Sequence, residues 1–193
     1  MTSVDSNSQD DDDRMIVAQI ISGQKGLFRL LIKRYERVVF GMGKSFFRNA
    51  EDASDFTQEV FLKVFCNLAN FEGRSRFSTW LYKIAYNTAI NGVTRKKEYR
   101  SLAEEEVVIN GDTPEKNLLR ALAIDAVLEA IRELPERFRV CVDLYFFYNR
   151  SYNEIETITG YPVNTIKSHV FRAKKILRGK LEDYAELGQG GLV

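Results

Sequence analysis

Two groups of side chains in this 193-residue chain are of types that bind nucleic acid. The first lies near the C-terminus. Asn164, Ser168, Phe171, Arg172 and Lys175 share one side of a helix of about 3.6 residues per turn, flanked by Lys167 and Arg178. From Pro162 to Lys180 there are six Lys or Arg and no Asp or Glu. Such a face neutralises phosphates, hydrogen-bonds to base edges and places one aromatic where a thymine methyl can sit. The second group is Trp80, Tyr82, Tyr86, Asn87 and Asn91, followed by Arg95, Lys96, Lys97 and Arg100. Stacking planes, edge-reading amides and phosphate-neutralising bases are what a single-stranded nucleic acid requires. Trp80 taken alone is equally well explained as a core residue. With the loop Phe71–Ser75 and its Gly73 and Arg74 just before it, single-strand contact is favoured.

Helices must position both groups. Ser151 and Glu154 have the spacing of a capping box, which starts a helix. Gly160 ends it, and Pro162 opens the next, because a missing N–H costs nothing in a first turn. Ile166, Val170, Ala173 and Leu177 form the buried stripe of that second helix. The pattern predicts a helix-turn-helix whose second helix reads a major groove. Upstream, MIVAQIIS predicts a short helix that stops near Gly23. A longer one is predicted over about Gln24 to Arg48, with Leu27, Leu30, Leu31, Tyr35, Val38 and Val39 inward. Asn49 caps a third, in which Phe56, Val60, Val64 and Leu68 face inward. Asp55, Gln58, Glu59, Leu62 and Phe65 are left to its flank and surface. Its aromatics predict a surface that binds protein. A fourth helix spans about Arg76 to Lys97. Leu134-Pro135 marks a boundary, and ERFRVCVDLYFFYN is predicted as one helix beyond it.

The net charge of +1 hides segregation: residues 1–13 sum to −5, 14–100 to +9, 101–130 to −5 and 131–193 to +2. Two basic blocks separated by an acidic one predict two nucleic-acid-facing bodies and a connector. The expected architecture is all-α, two small helical domains joined by an acidic linker, the second containing the helix-turn-helix. Residues 1–13 are expected as a disordered acidic tail, 14–100 as the N-terminal domain, 101–117 as the linker, 118–187 as the C-terminal domain and 188–193 as a tail. No apolar run reaches the roughly 20 residues of a membrane span, and the N-terminus lacks a signal sequence. Cys66 and Cys141 read as small core residues in a reducing compartment, so the chain is expected in the cytoplasm. There is no phosphate loop, no metal-ligand cluster and no nucleophile beside a histidine. No catalytic residue, metal or cofactor is expected.

The motifs DASDFTQEVFLKVF, SRFSTWLYKIAYNTAIN, LPERFRVCVDLYFFYNRSYNEIETITG and PVNTIKSHVFRAKKIL, in this order and spacing, resemble bacterial RNA polymerase sigma factors of the extracytoplasmic-function class. The resemblance covers Gly26 to Leu181. It implies that Asp55, Gln58, Glu59, Phe61 and Leu62 engage the β′ clamp helices of core RNA polymerase, with the β subunit as a further contact. It implies that Phe71–Asn91 melts and reads the −10 promoter element, with Arg74, Ser75, Trp80, Asn87, Asn91 and Arg95 on the DNA. For the −35 element it implies Lys167, Ser168, Phe171 and Arg172 in the groove, Thr165 on a phosphate, and Lys175 on the same face. An anti-sigma factor is an expected partner. His169 departs from the family, which usually has arginine there. A stand-alone helix-turn-helix regulator, binding duplex DNA without polymerase, is the competing reading.

Overall fold

The computed structural model describes residues 3–47, 49–100 and 127–189, with side chains over 8–47, 49–94 and 127–181. Every regular element among the described residues is helical, and the chain divides into two compact units.

The first unit holds α1 (Ser3–Ile21), α2 (Phe28–Phe47), α3 (Ala50–Asn67) and α4 (Phe77–Arg100). Helix α2 packs on α3 and α4, and α1 crosses the same group. Leu31, Tyr35, Val39 and Met42 of α2 meet Phe56, Val60 and Val64 of α3 and Phe77, Leu81 and Ala85 of α4 in the core. The α2–α3 crossing is close at Gly43, where a Cβ would lie 2.8 Å from the Phe56 ring and 3.0 Å from the Ala53 Cα. Asn49 caps α3 as expected, its side-chain oxygen accepting the Asp52 N–H at 2.7 Å.

Three expectations change here. Residues 3–13 are not a disordered tail but the first half of α1. Asp13 is 1% exposed and accepts hydrogen bonds from the Tyr35 hydroxyl and the Arg34 guanidinium. Carboxylates that would repel one another in an isolated segment gain donors from distant residues, which removes the reason for disorder. Burial pushes the Asp13 carboxyl above its ordinary range, against the lowering effect of Tyr35 and Arg34. Next, α2 begins at Phe28 rather than Gln24, after a 3-10 turn over Lys25–Leu27. Phe28 is buried in place of Leu30, which faces solvent.

The second unit contains α5 (residues 127–132), α6 (Glu136–Val142), α7 (Tyr152–Thr159) and α8 (Val163–Gln189). Leu134, Phe138, Val142 and Ala173 form a shared cluster, with Ile176 and Leu177 against it. The third change is that ERFRVCVDLYFFYN is not one α-helix. After Val142 a π-helical turn runs over Asp143–Phe147, where the Tyr148 N–H reaches back to the Asp143 carbonyl at 3.0 Å. The widened turn keeps Leu144 buried and leaves Phe146 and Phe147 about half exposed.

The connection from α7 to α8 follows local chemistry. The Ser151 N–H donates to Glu154 Oε2 at 2.9 Å, and the Glu154 N–H returns to Ser151 Oγ at 3.3 Å. Gly160 stands at φ 77°, ψ 0°, and its N–H donates to the Glu156 carbonyl at 2.8 Å. Glu156 also accepts the Val163 N–H at 3.1 Å, so the first turn of α8 is satisfied from α7. The Pro162 carbonyl takes the Ile166 N–H at 3.0 Å, which places proline at the helix entry. The expected 101–117 linker and 188–193 tail fall largely outside the described residues; α8 continues to Gln189.

Candidate nucleic-acid interface

Helix α8 turns Ile166, Val170 and Ala173 inward, with Leu177 half-buried. Phe171 is 70% exposed, and Lys167, Arg172 and Lys175 are exposed on the same outward side. Thr165 and Ser168 are half-buried at its margin. Phe171 stands open among these cations, where an aromatic ring can meet a thymine methyl. Lys167 is held by an aromatic stack: its Nζ lies 5.9 Å from the Tyr152 ring, which stacks on Tyr145 at 4.9 Å. Sequence reading missed this support, because it comes from two other elements.

His169 sits behind the outward face. Its ring packs on Phe138 at 5.1 Å and edge-on to Tyr161 at 5.4 Å. Its Nδ1 lies 3.7 Å from Cys141 Sγ. Desolvation first, then the charges of Arg137 and Arg172, lower its pKa below the ordinary 6.5. Burial pushes the Cys141 thiol up to about 12. At neutral pH this is a neutral imidazole beside a protonated thiol, not a metal site. Cys141 is a core residue as expected, whereas Cys66 is exposed on α3.

In the first unit, Trp80, Asn87 and Asn91 lie two and three turns apart along one side of α4. Asn87 and Asn91 are exposed and Trp80 half-buried, with exposed Lys83 between them. Lys83 was not singled out from sequence, although its spacing from Trp80 and Asn87 contained the signal. Trp80 packs against Phe71 at 5.4 Å and Phe77 at 5.9 Å. The same loop carries Arg74, exposed and paired with Glu72 at 2.5 Å, and half-buried Ser75. Tyr82 and Tyr86, expected as part of the aromatic surface, are core residues instead, and the Tyr86 ring lies 6.3 Å from that of Phe46. They fall on the opposite side of α4 from Trp80. Arg95 follows on α4, its side chain outside the described residues.

Helix α3 presents Asp55, Gln58, Glu59 and Leu62 together on its solvent side, Leu62 being 67% exposed. Phe61 does not join them. It is 6% exposed and meets Phe28 edge-on at 6.3 Å, because Phe28 occupies the side of α3 towards which it points. Phe65 and Cys66 extend the exposed face instead. Glu59 is bridged to Lys63 at 2.6 Å, one turn away.

Among the described residues there is no group of three or more side chains able to hold a metal, and no helix long and apolar enough to cross a membrane.

Residues 31–99 match the Sigma-70 region 2 family and residues 124–177 match Sigma-70, region 4. The chain is 34% identical over 181 residues to the RNA polymerase sigma-H factor of Pseudomonas aeruginosa, covering 88% of this chain and 94% of that one. It is 32% identical over 181 residues to the ECF RNA polymerase sigma-E factor of Haemophilus influenzae, covering 88% and 95%. The fold is similar to that of Bartonella quintana RpoE in its complex with the anti-sigma factor NepR, at TM-score 0.67 and 21% identity over 80% of this chain and 96% of that one. It is also similar to CnrH in complex with the cytosolic domain of CnrY, at TM-score 0.66 and 20% identity over 89% and 97%. The chain belongs to the sigma-70 family, in its ECF class of RNA polymerase sigma factors.

Proposed function

We propose that this chain binds core RNA polymerase, directs it to specific promoters and helps open the −10 element to start transcription, with no catalysis of its own. The observation that carries the reading is the division between two unlike surfaces. The outward face of α8 as far as Lys180, free of acids and with open Phe171, suits paired DNA; the Trp80–Asn87–Asn91 side of α4 suits an unpaired strand. A stand-alone duplex-binding regulator has no use for the second. In this reading residues 14–100 bind polymerase and the −10 element, 101–117 connect, and 118–187 bind the −35 element.

Thr165, Lys167, Ser168, Phe171, Arg172 and Lys175 then contact the −35 element. Arg74, Ser75, Trp80, Asn87, Asn91 and Arg95 contact the −10 element. Asp55, Gln58, Glu59 and Leu62 contact the β′ clamp helices, with Phe61 supporting them from beneath, and the β subunit provides a further contact. Bound to core, the two DNA surfaces act as tethered sites, so the second contact is effectively intramolecular. Opening exchanges base stacking for aromatic contact and a pocket, at about a few kcal/mol per extruded base. An anti-sigma factor is the regulator that fits such a protein, and the cytoplasm is where it would act.

Run-off transcription with purified core enzyme tests the proposal. Promoter-dependent product is expected with core, and gel shifts of promoter DNA are expected only when core is present. Tight duplex binding by the chain alone, without any run-off product from genomic promoters, would leave the duplex-binding regulator as the better reading.

A further inference from the structure

Helix α4 starts at Phe77 with Arg76 before it, a residue whose side chain offers no acceptor to the N–H groups of the first turn. The acceptor comes from 67 residues away: Asp10 Oδ1, on α1, takes the Phe77 N–H at 3.2 Å. The other oxygen of the same carboxylate takes the Arg14 Nε–H at 3.2 Å, one turn along α1. Arg14 Nη2 reaches the Ser75 carbonyl at 3.5 Å. Its Nη1 lies 3.3 Å from where a Cβ on Gly73 would stand, and Gly73 has φ +70°. Two residues of α1 thus hold the end of the loop before α4, with the Arg14 guanidinium lying close beside Gly73. Phe71, from the start of that loop, packs edge-on to Phe77 at 5.6 Å and against Trp80. Asp13, a turn below Asp10, is tied to Tyr35 and Arg34, which fixes α1 to α2 while Asp10 and Arg14 fix it to the loop.

We propose that Asp10 and Arg14 are positioning residues for strand capture: they set the loop 71–76 and the start of α4 so that Arg74 and Trp80 present one preformed surface to the opened strand. The inference rests on the function proposed above. It gives a task to the acidic segment ahead of the region 2 match, which begins at residue 31. Neither side chain is required to touch DNA.

The test uses holoenzyme built with the full chain, on a promoter located by mapping transcription starts with the wild-type protein. Four quantities are measured: affinity for core, affinity for a duplex ending at the −35 element, affinity for a single-stranded −10 oligonucleotide, and the rate of promoter opening. Arg14→Ala and Asp10→Ala are each expected to weaken single-strand capture and slow opening about tenfold, as loss of preorganisation does. Core and −35 duplex affinities should stay at the wild-type level. Asp10→Asn keeps an oxygen for the Phe77 N–H but turns an amide N–H towards the Arg14 Nε–H, so it should recover part of the loss. Undiminished capture by both alanine variants overturns the inference, as does a parallel loss of core and duplex binding. So does a loss with Asp10→Asn as large as with alanine. If Asp10→Ala does not fold, Arg14→Ala, whose side chain is 44% exposed, decides. A wild-type holoenzyme unable to open any promoter would instead defeat the proposed function, so the two failures are distinguishable.

Discussion

Replacing Gly160 by alanine isolates a single backbone term in the turn between α7 and α8. Glycine is there at φ +77°, and no atom lies within 4 Å of where a Cβ would be. A clash therefore contributes nothing, and the cost is the left-handed conformation itself. That conformation costs an L-residue about 1–2 kcal/mol. The lower entropy of alanine in the unfolded chain offsets about 0.4–1 kcal/mol. The net expectation is a loss of about 1 kcal/mol, which for a small helical unit lowers the melting temperature by about 4–8 °C. Gly160→Asn should lose less, since asparagine enters this region more readily. Thermal unfolding followed by circular dichroism measures both. An unchanged melting temperature would mean that the turn relaxes to negative φ without loss. A loss beyond about 3 kcal/mol would require a steric conflict that the open surroundings of Gly160 exclude. Either result refutes the reasoning.

Two adjacent residues of α3 should behave oppositely. Phe61→Ala removes a buried ring and should cost about 3–5 kcal/mol in denaturant unfolding. Leu62→Ala should leave stability within about 0.5 kcal/mol yet weaken binding to core polymerase in a fluorescence titration. Equal core affinity for Leu62→Ala and wild type would remove α3 from the interface. The depressed pKa of His169 gives a pH signature. The unfolded chain binds more protons than the folded one below about pH 6.5, so stability is full above that value and falls as pH drops through the folded pKa. Wild-type protein should therefore lose more melting temperature between pH 7.5 and 5.5 than His169→Gln, and parallel curves would contradict the assignment.

Signals carried within a turn or two of chain were legible before any coordinates. Ser151 and Glu154 three residues apart, Gly160 after the last turn, Asn49 before Glu51 and Asp52, and the stripe Ile166–Val170–Ala173 each specify their own geometry through neighbours in sequence. Hence the two helices meeting at a glycine turn, the all-helical class and the family motifs could be read directly. What approaches from elsewhere was not written locally. Phe61 and Leu62 differ in burial because Phe28 arrives on one side of α3, whereas Leu62, on the other, is 67% exposed. Tyr82 and Tyr86 have the same composition signature as a stacking surface, but α2 and α3 cover their side of α4. The run Asp10–Asp13 looked like a tail because its counter-charges and donors, Arg34, Tyr35 and the Phe77 N–H, lie 21 to 67 residues away. Hydrogen-bond periodicity is local and so survives in the sequence. Burial and charge pairing depend on which distant segment fills the space opposite, and only the tertiary structure decides that.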